Sequence, residues 1–167
     1  MTTVVRDARP QDFEAVTALL EELGRPKVLG TDREPAQRAR YLAWLEAPDL
    51  YAFVAERDGQ VTGFVDVEIL PRLNFPGPQA WIPDLIVADG ERSRGAGAAM
   101  LARAKEVALE RGAFSLTLES AYWRTRAHAF YAREGMDDAA KHFVRVIGDF
   151  VWPPKAPDAG SDEPLDQ

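Results

Sequence analysis

The stretch that decides the fold runs Trp81-Ile82-Pro83-Asp84-Leu85-Ile86-Val87, then Arg92-Ser93-Arg94-Gly95-Ala96-Gly97-Ala98 and on through Met100-Leu101. Its first part is an apolar run of strand character, and Pro83 inside it cannot donate to a ladder, which predicts an edge, a start or a bulge. Its last part, from about Gly95 to Arg111, is rich in alanine and leucine and predicts a helix that ends at Gly112. Between them lies Arg92-x-x-Gly95-x-Gly97. The first N–H groups of a helix lack an internal partner, and the helix dipole places partial positive charge there. An anion such as a pyrophosphate answers both needs, glycines let it approach the backbone, and Arg92 and Arg94 can add charge-assisted hydrogen bonds.

The arginine-glycine spacing alone is a weak signal, expected by chance in about one or two chains in ten of this length. Its position between a strand and a helix gives it weight. A P-loop would need Gly-Lys-Ser/Thr, which is absent. A dinucleotide fold would need a third glycine early in the chain, and here Gly95-Ala96-Gly97 sits mid-chain and is followed by Ala98 and Met100.

Working outward, Thr2 to Arg6 predicts a short first strand. Pro10 opens a helix carrying Phe13, Val16, Leu20 and Leu23 at helical spacing, and Gly24 closes it. Residues 25–33 read as a loop. A second helix covers about Pro35 to Glu46, with Tyr41, Trp44 and Leu45 inward. Tyr51–Glu56 and Val61–Ile69 read as strands joined by a hairpin at Asp58-Gly59. In the second of these, Val61, Gly63, Val65, Val67 and Ile69 alternate with Thr62, Phe64, Asp66 and Glu68, which predicts one greasy face and one polar face. Ser115–Ser120 and His142–Ile147 read as later strands, with a short helix over Arg126–Arg133 before Gly135. The order predicts a mixed sheet flanked by helices.

The chain has 167 residues, enough for one core, with 46% hydrophobic and 28% charged residues. It has no cysteine, so disulfides, thiolate catalysis and cysteine-held metals are excluded, and two histidines are too few for a typical zinc site. No metal is expected. A net charge of −7 argues against broad nucleic-acid binding. No apolar run approaches a membrane span, and Met1–Arg9 lacks the apolar segment of a signal peptide, so a cytoplasmic enzyme is the expectation. Residues 153–167 hold four prolines and four acids with almost nothing apolar, which predicts a disordered tail after a single domain over 1–152.

A second motif, Ala127-His128-Ala129-Phe130-Tyr131-Ala132-Arg133-Glu134-Gly135-Met136, joins the glycine turn. Together, in this order and over about residues 3 to 147, the chain resembles the GNAT superfamily of N-acetyltransferases. The resemblance implies an α+β fold with a central, mostly antiparallel sheet of about six or seven strands, splayed in a V between flanking helices. It implies acetyl-CoA as co-substrate, its pantetheine arm held by backbone groups of Leu85, Ile86 and Val87. Its pyrophosphate would be held by the N–H groups of Arg92, Ser93, Arg94, Gly95, Ala96, Gly97 and Ala98. Arg124 stands where the family often has asparagine, and an arginine there would reach a phosphate instead.

The activity so implied is transfer of an acetyl group to a primary amine of a small molecule or peptide by direct attack in a ternary complex. Tyr131 is the expected general acid, since the family places a phenol near the coenzyme sulfur, and Glu119 is the leading candidate base. Asp66, Glu68 and Asp84 are expected on the acceptor side, where acids point toward a cationic small molecule. His128 reads as a surface or neighbouring histidine, and Trp81 and Phe75 either line an acceptor pocket or cover the sheet. The alternative is a non-catalytic acyl-CoA-binding sensor of the same fold. A homodimer is left open.

Overall fold

The computed structural model describes residues 3–148, and the chain divides after Leu118 into two compact units. The tail expected over 153–167 lies outside the described residues. The first unit contains β1 (Val4–Asp7), α1 (Phe13–Glu22), α2 (Glu34–Glu46), β2 (Leu50–Arg57), β3 (Gln60–Leu70), β4 (Gln79–Ile82), β5 (Leu85–Val87), α3 (Ala96–Glu110) and β6 (Ser115–Leu118). The sheet order is β1-β2-β3-β4-β6, with β5 also paired to β3. Every pair is antiparallel except β4 with β6, which is parallel. This is the expected mixed, mostly antiparallel sheet with helices against it.

Both faces of β3 are covered. On one, Phe64 packs with Val16 and Leu19 of α1 and Ile86 of β5, and Tyr41, Trp44 and Leu45 of α2 close over them. On the other lies α3, whose Met100, Leu101, Ala104 and Val107 are fully buried at helical spacing. Each such side chain contributes about 1.5–3 kcal/mol on burial. The expectation of one polar face on β3 is therefore corrected: Thr62 and Asp66 are buried along with Phe64. Alternation reports exposure only where one side of a sheet faces water.

The ladder slips at Pro83-Asp84. Glu68 faces Trp81 and Val65 faces Leu85, so the β4–β5 side carries one extra residue. The Asp66 N–H donates to the Asp84 carbonyl at 3.2 Å. The Asp84 N–H, turned aside, donates to Asp66 Oδ1 at 2.8 Å. Strand β6 follows β4 only as far as the pair Ile82–Leu118, while β5 continues against β3. The sheet parts at this bulge.

The second unit carries α4 (Thr125–Arg133), which ends before Gly135 at a φ of 82°. The strand expected at His142–Ile147 does not form. Phe143, Val144 and Ile147 are exposed, and β-branched composition without a ladder partner and a covered face does not make a strand.

Candidate active site

The open edge of β5 follows from its pairing. The hydrogen bonds from Asp66 N–H to Asp84 C=O and from Ala88 N–H to Thr62 C=O, at 2.9 Å, fix the antiparallel alternation. Ile86 therefore spends its backbone groups on Phe64, while Leu85 and Val87 aim theirs away from β3. Of the three residues expected to hold a pantetheine arm, two turn their backbone to the open edge, where the Val87 carbonyl accepts a long hydrogen bond of 3.4 Å from Arg92 Nε, and the middle one anchors the strand.

Beyond β5 a short 3-10 turn, Asp89–Glu91, leads into the glycine turn. Ser93 and Gly95 adopt left-handed conformations, with φ of 66° and 86°. Such residues fold successive N–H groups into a concave anion site. Gly95 caps α3, and Ala99 N–H takes its carbonyl at 3.0 Å. Among the described residues, the N–H groups of Ala96, Gly97 and Ala98 have no protein acceptor. They point out of a 15-residue helix, at its positive end.

The turn's arginines are paired but exposed. Arg92 lies 3.0 Å from Asp89 and 3.7 Å from Glu22, and Arg94 lies 3.4 Å from Glu91. Behind them is a residue the sequence did not single out. Arg57, at the end of β2 and only 12% exposed, sits 3.1 Å from Glu91. It also donates to Thr3 Oγ1 at 2.8 Å and to the Arg94 carbonyl at 3.5 Å. It ties the turn to the sheet. Its signal in sequence is only a charged pair, Glu56-Arg57, closing an otherwise apolar strand.

At the bulge, Asp66 and Asp84 are brought together. Asp66 is buried, and burial, reinforced by the Asp84 charge, pushes its carboxyl well above the usual range. Asp84 is held by Arg25, whose Nε and terminal nitrogen reach the same oxygen at 2.6 and 2.5 Å. Arg25 also donates to the Pro83 carbonyl at 3.3 Å. Arg25 was not anticipated, because residues 25–33 read simply as a loop. Glu68 lies on the same face of β3, half-buried beside Trp81, and burial raises its carboxyl too. Phe75 stacks on Phe114 at 4.5 Å, and both are exposed.

In the second unit, Tyr131 lies on α4 with Phe130 at 5.2 Å between ring centres. Burial raises its phenol above the usual value, and the Arg124 charge opposes this. A raised value keeps the phenol protonated at neutral pH. Glu119 is exposed, 3.7 Å from His142 Nδ1. Among the described residues, no three acids or histidines gather as metal ligands, and no helix is long and apolar enough to cross a membrane.

A mixed sheet parted at a bulge, with a helix N-terminus at the parted edge, is a fold this chain shares with solved acetyltransferases. The chain belongs to the Acetyltransferase (GNAT) family, whose sequence profile matches residues 15–136. It is 29% identical over 143 residues to the aminoalkylphosphonate N-acetyltransferase of Salmonella typhimurium, covering 86% of this chain and 90% of that one. A solved transcriptional regulator from Bacillus halodurans C-125 has the same fold, with a TM-score of 0.76 at 22% identity over 87% of this chain and 100% of the other. So does an aminoglycoside N-acetyltransferase solved in complex with CoA, with a TM-score of 0.74 at 17% identity over 89% and 96%. The protein is an acyltransferase of the N-acetyltransferase type, and the family's proteins use acetyl-CoA.

Proposed function

We propose that the chain transfers the acetyl group of acetyl-CoA to a primary amine of a small molecule by direct attack in a ternary complex. The observation that carries this reading is the set of uncommitted N–H groups of Ala96, Gly97 and Ala98 at the start of α3, beside the open edge of Leu85 and Val87. The first set suits a pyrophosphate, with Ser93, Gly95 and the guanidinium groups of Arg92 and Arg94 around it. The second suits an amide-bearing arm that adds like a strand. The match to an aminoalkylphosphonate N-acetyltransferase supports a small amine as acceptor.

An alkyl ammonium has a pKa of about 10, so the acceptor must lose a proton before attack. Glu119, being exposed, serves as base through water. Asp84, Asp66 and Glu68 belong to the acceptor side. Tyr131 supplies the proton that the departing thiolate takes up, and burial keeps that proton in place at neutral pH. No acyl-enzyme is needed, in keeping with a chain that has no cysteine.

Thiol release from acetyl-CoA with a panel of amines tests the reading. Tyr131→Phe should lower turnover by about 10²–10⁴-fold while coenzyme affinity is retained. Unaltered turnover removes Tyr131 from the mechanism. Absence of both thiol release and any acetyl-CoA-dependent thermal stabilisation overturns the function itself.

A further inference from the structure

A pocket of about 170 Å³ lies wholly within the first unit, against the bulge. Thr17 of α1, Arg25, Val28 and Arg33 of the α1–α2 connection, Gln37 of α2, and Asp84 line it. Its wall is built without help from a ligand. Glu21 Oε1 accepts from the N–H groups of Val28 and Leu29 at 2.7 and 2.8 Å. Glu34 Oε2 accepts from Gly30 N–H at 2.9 Å, and Thr31 Oγ1 donates to the Val28 carbonyl at 2.7 Å. Those backbone donors hold both glutamates below the usual carboxylate range, so the wall stays assembled at neutral pH.

The charges in this pocket do not suit a cation. Asp84 is already compensated by Arg25. Asp66 behind it is buried and accepts from the Asp84 N–H, and burial with the neighbouring Asp84 charge raises its carboxyl. Arg33 is different. Its side chain makes one long hydrogen bond, 3.4 Å to the Lys27 carbonyl, and among the described residues no carboxylate lies within ion-pair distance of it. The pocket therefore carries excess positive charge at Arg33, with Thr17 and Gln37 as polar neighbours. An amine bearing only positive charge gains nothing there, whereas an oxyanion gains a charge-assisted hydrogen bond.

We propose that the acceptor is a primary amine carrying an oxyanionic group, phosphonate, phosphate or carboxylate, and that Arg33 holds that group while the amine lies toward Asp84. This rests on the acetyl-transfer reading above. It replaces the cationic acceptor suggested by counting acids in the sequence, because Asp84 is ion-paired with Arg25 and Asp66 is buried against the Asp84 backbone. In the reaction the amine nitrogen bonds to the acetyl carbon, the carbon–sulfur bond breaks, the nitrogen gives up one proton and the thiolate takes one.

The test uses the full chain with acetyl-CoA and a matched set of acceptors: 2-aminoethylphosphonate, O-phosphoethanolamine, β-alanine, propylamine and 1,3-diaminopropane. Thiol release gives kcat/KM for each, and calorimetry gives binding. The best anionic amine should exceed propylamine and the diamine by about tenfold or more, the worth of one charge-assisted hydrogen bond. Arg33→Gln, at an exposed position, should collapse that ratio mainly through KM, and Arg33→Lys should restore part of it. Whichever anionic amine leads identifies the oxyanion. Preference for the diamine or for propylamine overturns the proposal and leaves acetyl transfer standing, as does an Arg33→Gln variant that lowers every substrate equally. Arg33-dependent binding of an anionic amine without thiol release supports the pocket and overturns acetyl transfer. Neither binding nor release overturns both.

Discussion

Gly63 sits in β3 opposite Val87 of β5, beneath the first turns of α3. A Cβ placed there would stand 2.8 Å from Met100 Cε, 3.2 Å from its sulfur and 3.1 Å from the Ile86 carbonyl oxygen. The thioether end can swing, but Met100 is fully buried, and the carbonyl belongs to the strand that presents the open edge. Overpacking of this order costs about 1–3 kcal/mol. Replacing glycine also removes freedom from the unfolded chain, which offsets about 0.4–1 kcal/mol. Gly63→Ala should thus lose about 1–2 kcal/mol net, a fall in Tm of about 2–8 °C for a chain of this size. Met100→Ala opens space at the same spot, so the double variant should recover at least about 0.5–1 kcal/mol of the summed losses. Denaturant titrations of the wild type, both single variants and the pair measure this directly. The single Gly63→Ala variant should also respond less to acetyl-CoA, because α3 and β5 are pushed apart where the coenzyme is proposed to bind. Wild-type stability in Gly63→Ala, or strict additivity with Met100→Ala, would refute the claim that this glycine sets the approach of helix to sheet.

Arg57→Met keeps the aliphatic stem but releases Glu91 and the Arg94 carbonyl, so acetyl-CoA affinity by calorimetry should weaken about tenfold while turnover at saturating coenzyme changes little. Asp12 is held below the usual carboxylate range, first by hydrogen bonds from Arg6 at 2.7 and 3.0 Å and further by the Arg9 N–H, against the opposing effect of burial. Its contribution is present above its unfolded value and lost as pH falls through the folded one, so Asp12→Asn should cost about 1–3 kcal/mol at neutral pH, with the gap to wild type closing in acid. Asp66 has the opposite sign: its raised value in the fold favours the native state below the ordinary carboxylate value and penalises it as pH rises. Asp66→Asn, which still offers an oxygen to the Asp84 N–H, should gain stability relative to wild type as pH rises above the ordinary carboxylate value of about 4, and parallel denaturation profiles would show that the Asp66 carboxyl is not raised in the fold.

What could be read from the sequence was whatever is set locally. The alanine-rich run of α3 and the hairpin at Asp58-Gly59 depend on near neighbours alone, and both stand where they were expected. The failures share a cause. Asp66 reads as a polar-face residue because alternation cannot reveal that α1 and α2 close over one side of β3 and α3 over the other. The 25–33 loop reads as a connection because its two organising carboxylates, Glu21 and Glu34, lie in the flanking helices. Arg25, Arg33 and Arg57 carry no periodicity at all. Their roles come from charges met across the fold, Asp84 for the first and Glu91 for the last.

Pro83 connects these levels. It lacks an N–H, so the strand cannot run straight through it against β3. The slipped residue turns the Asp84 N–H onto the Asp66 side chain, which requires an acid or amide at a position otherwise suited to an apolar residue. The same slip parts β5 from the line of β4 and β6, exposing the backbone of Leu85 and Val87. It also brings Asp84 to the wall of the pocket, where Arg25 must neutralise it and Arg33 is left to meet a ligand. The bulge that accommodates Pro83 thus joins the parted sheet, the buried acid and the placement of Asp84 on the pocket wall. Any substitution that restores a regular ladder across residues 82–85 should close the edge and alter the pocket together, because both follow from the same slipped residue.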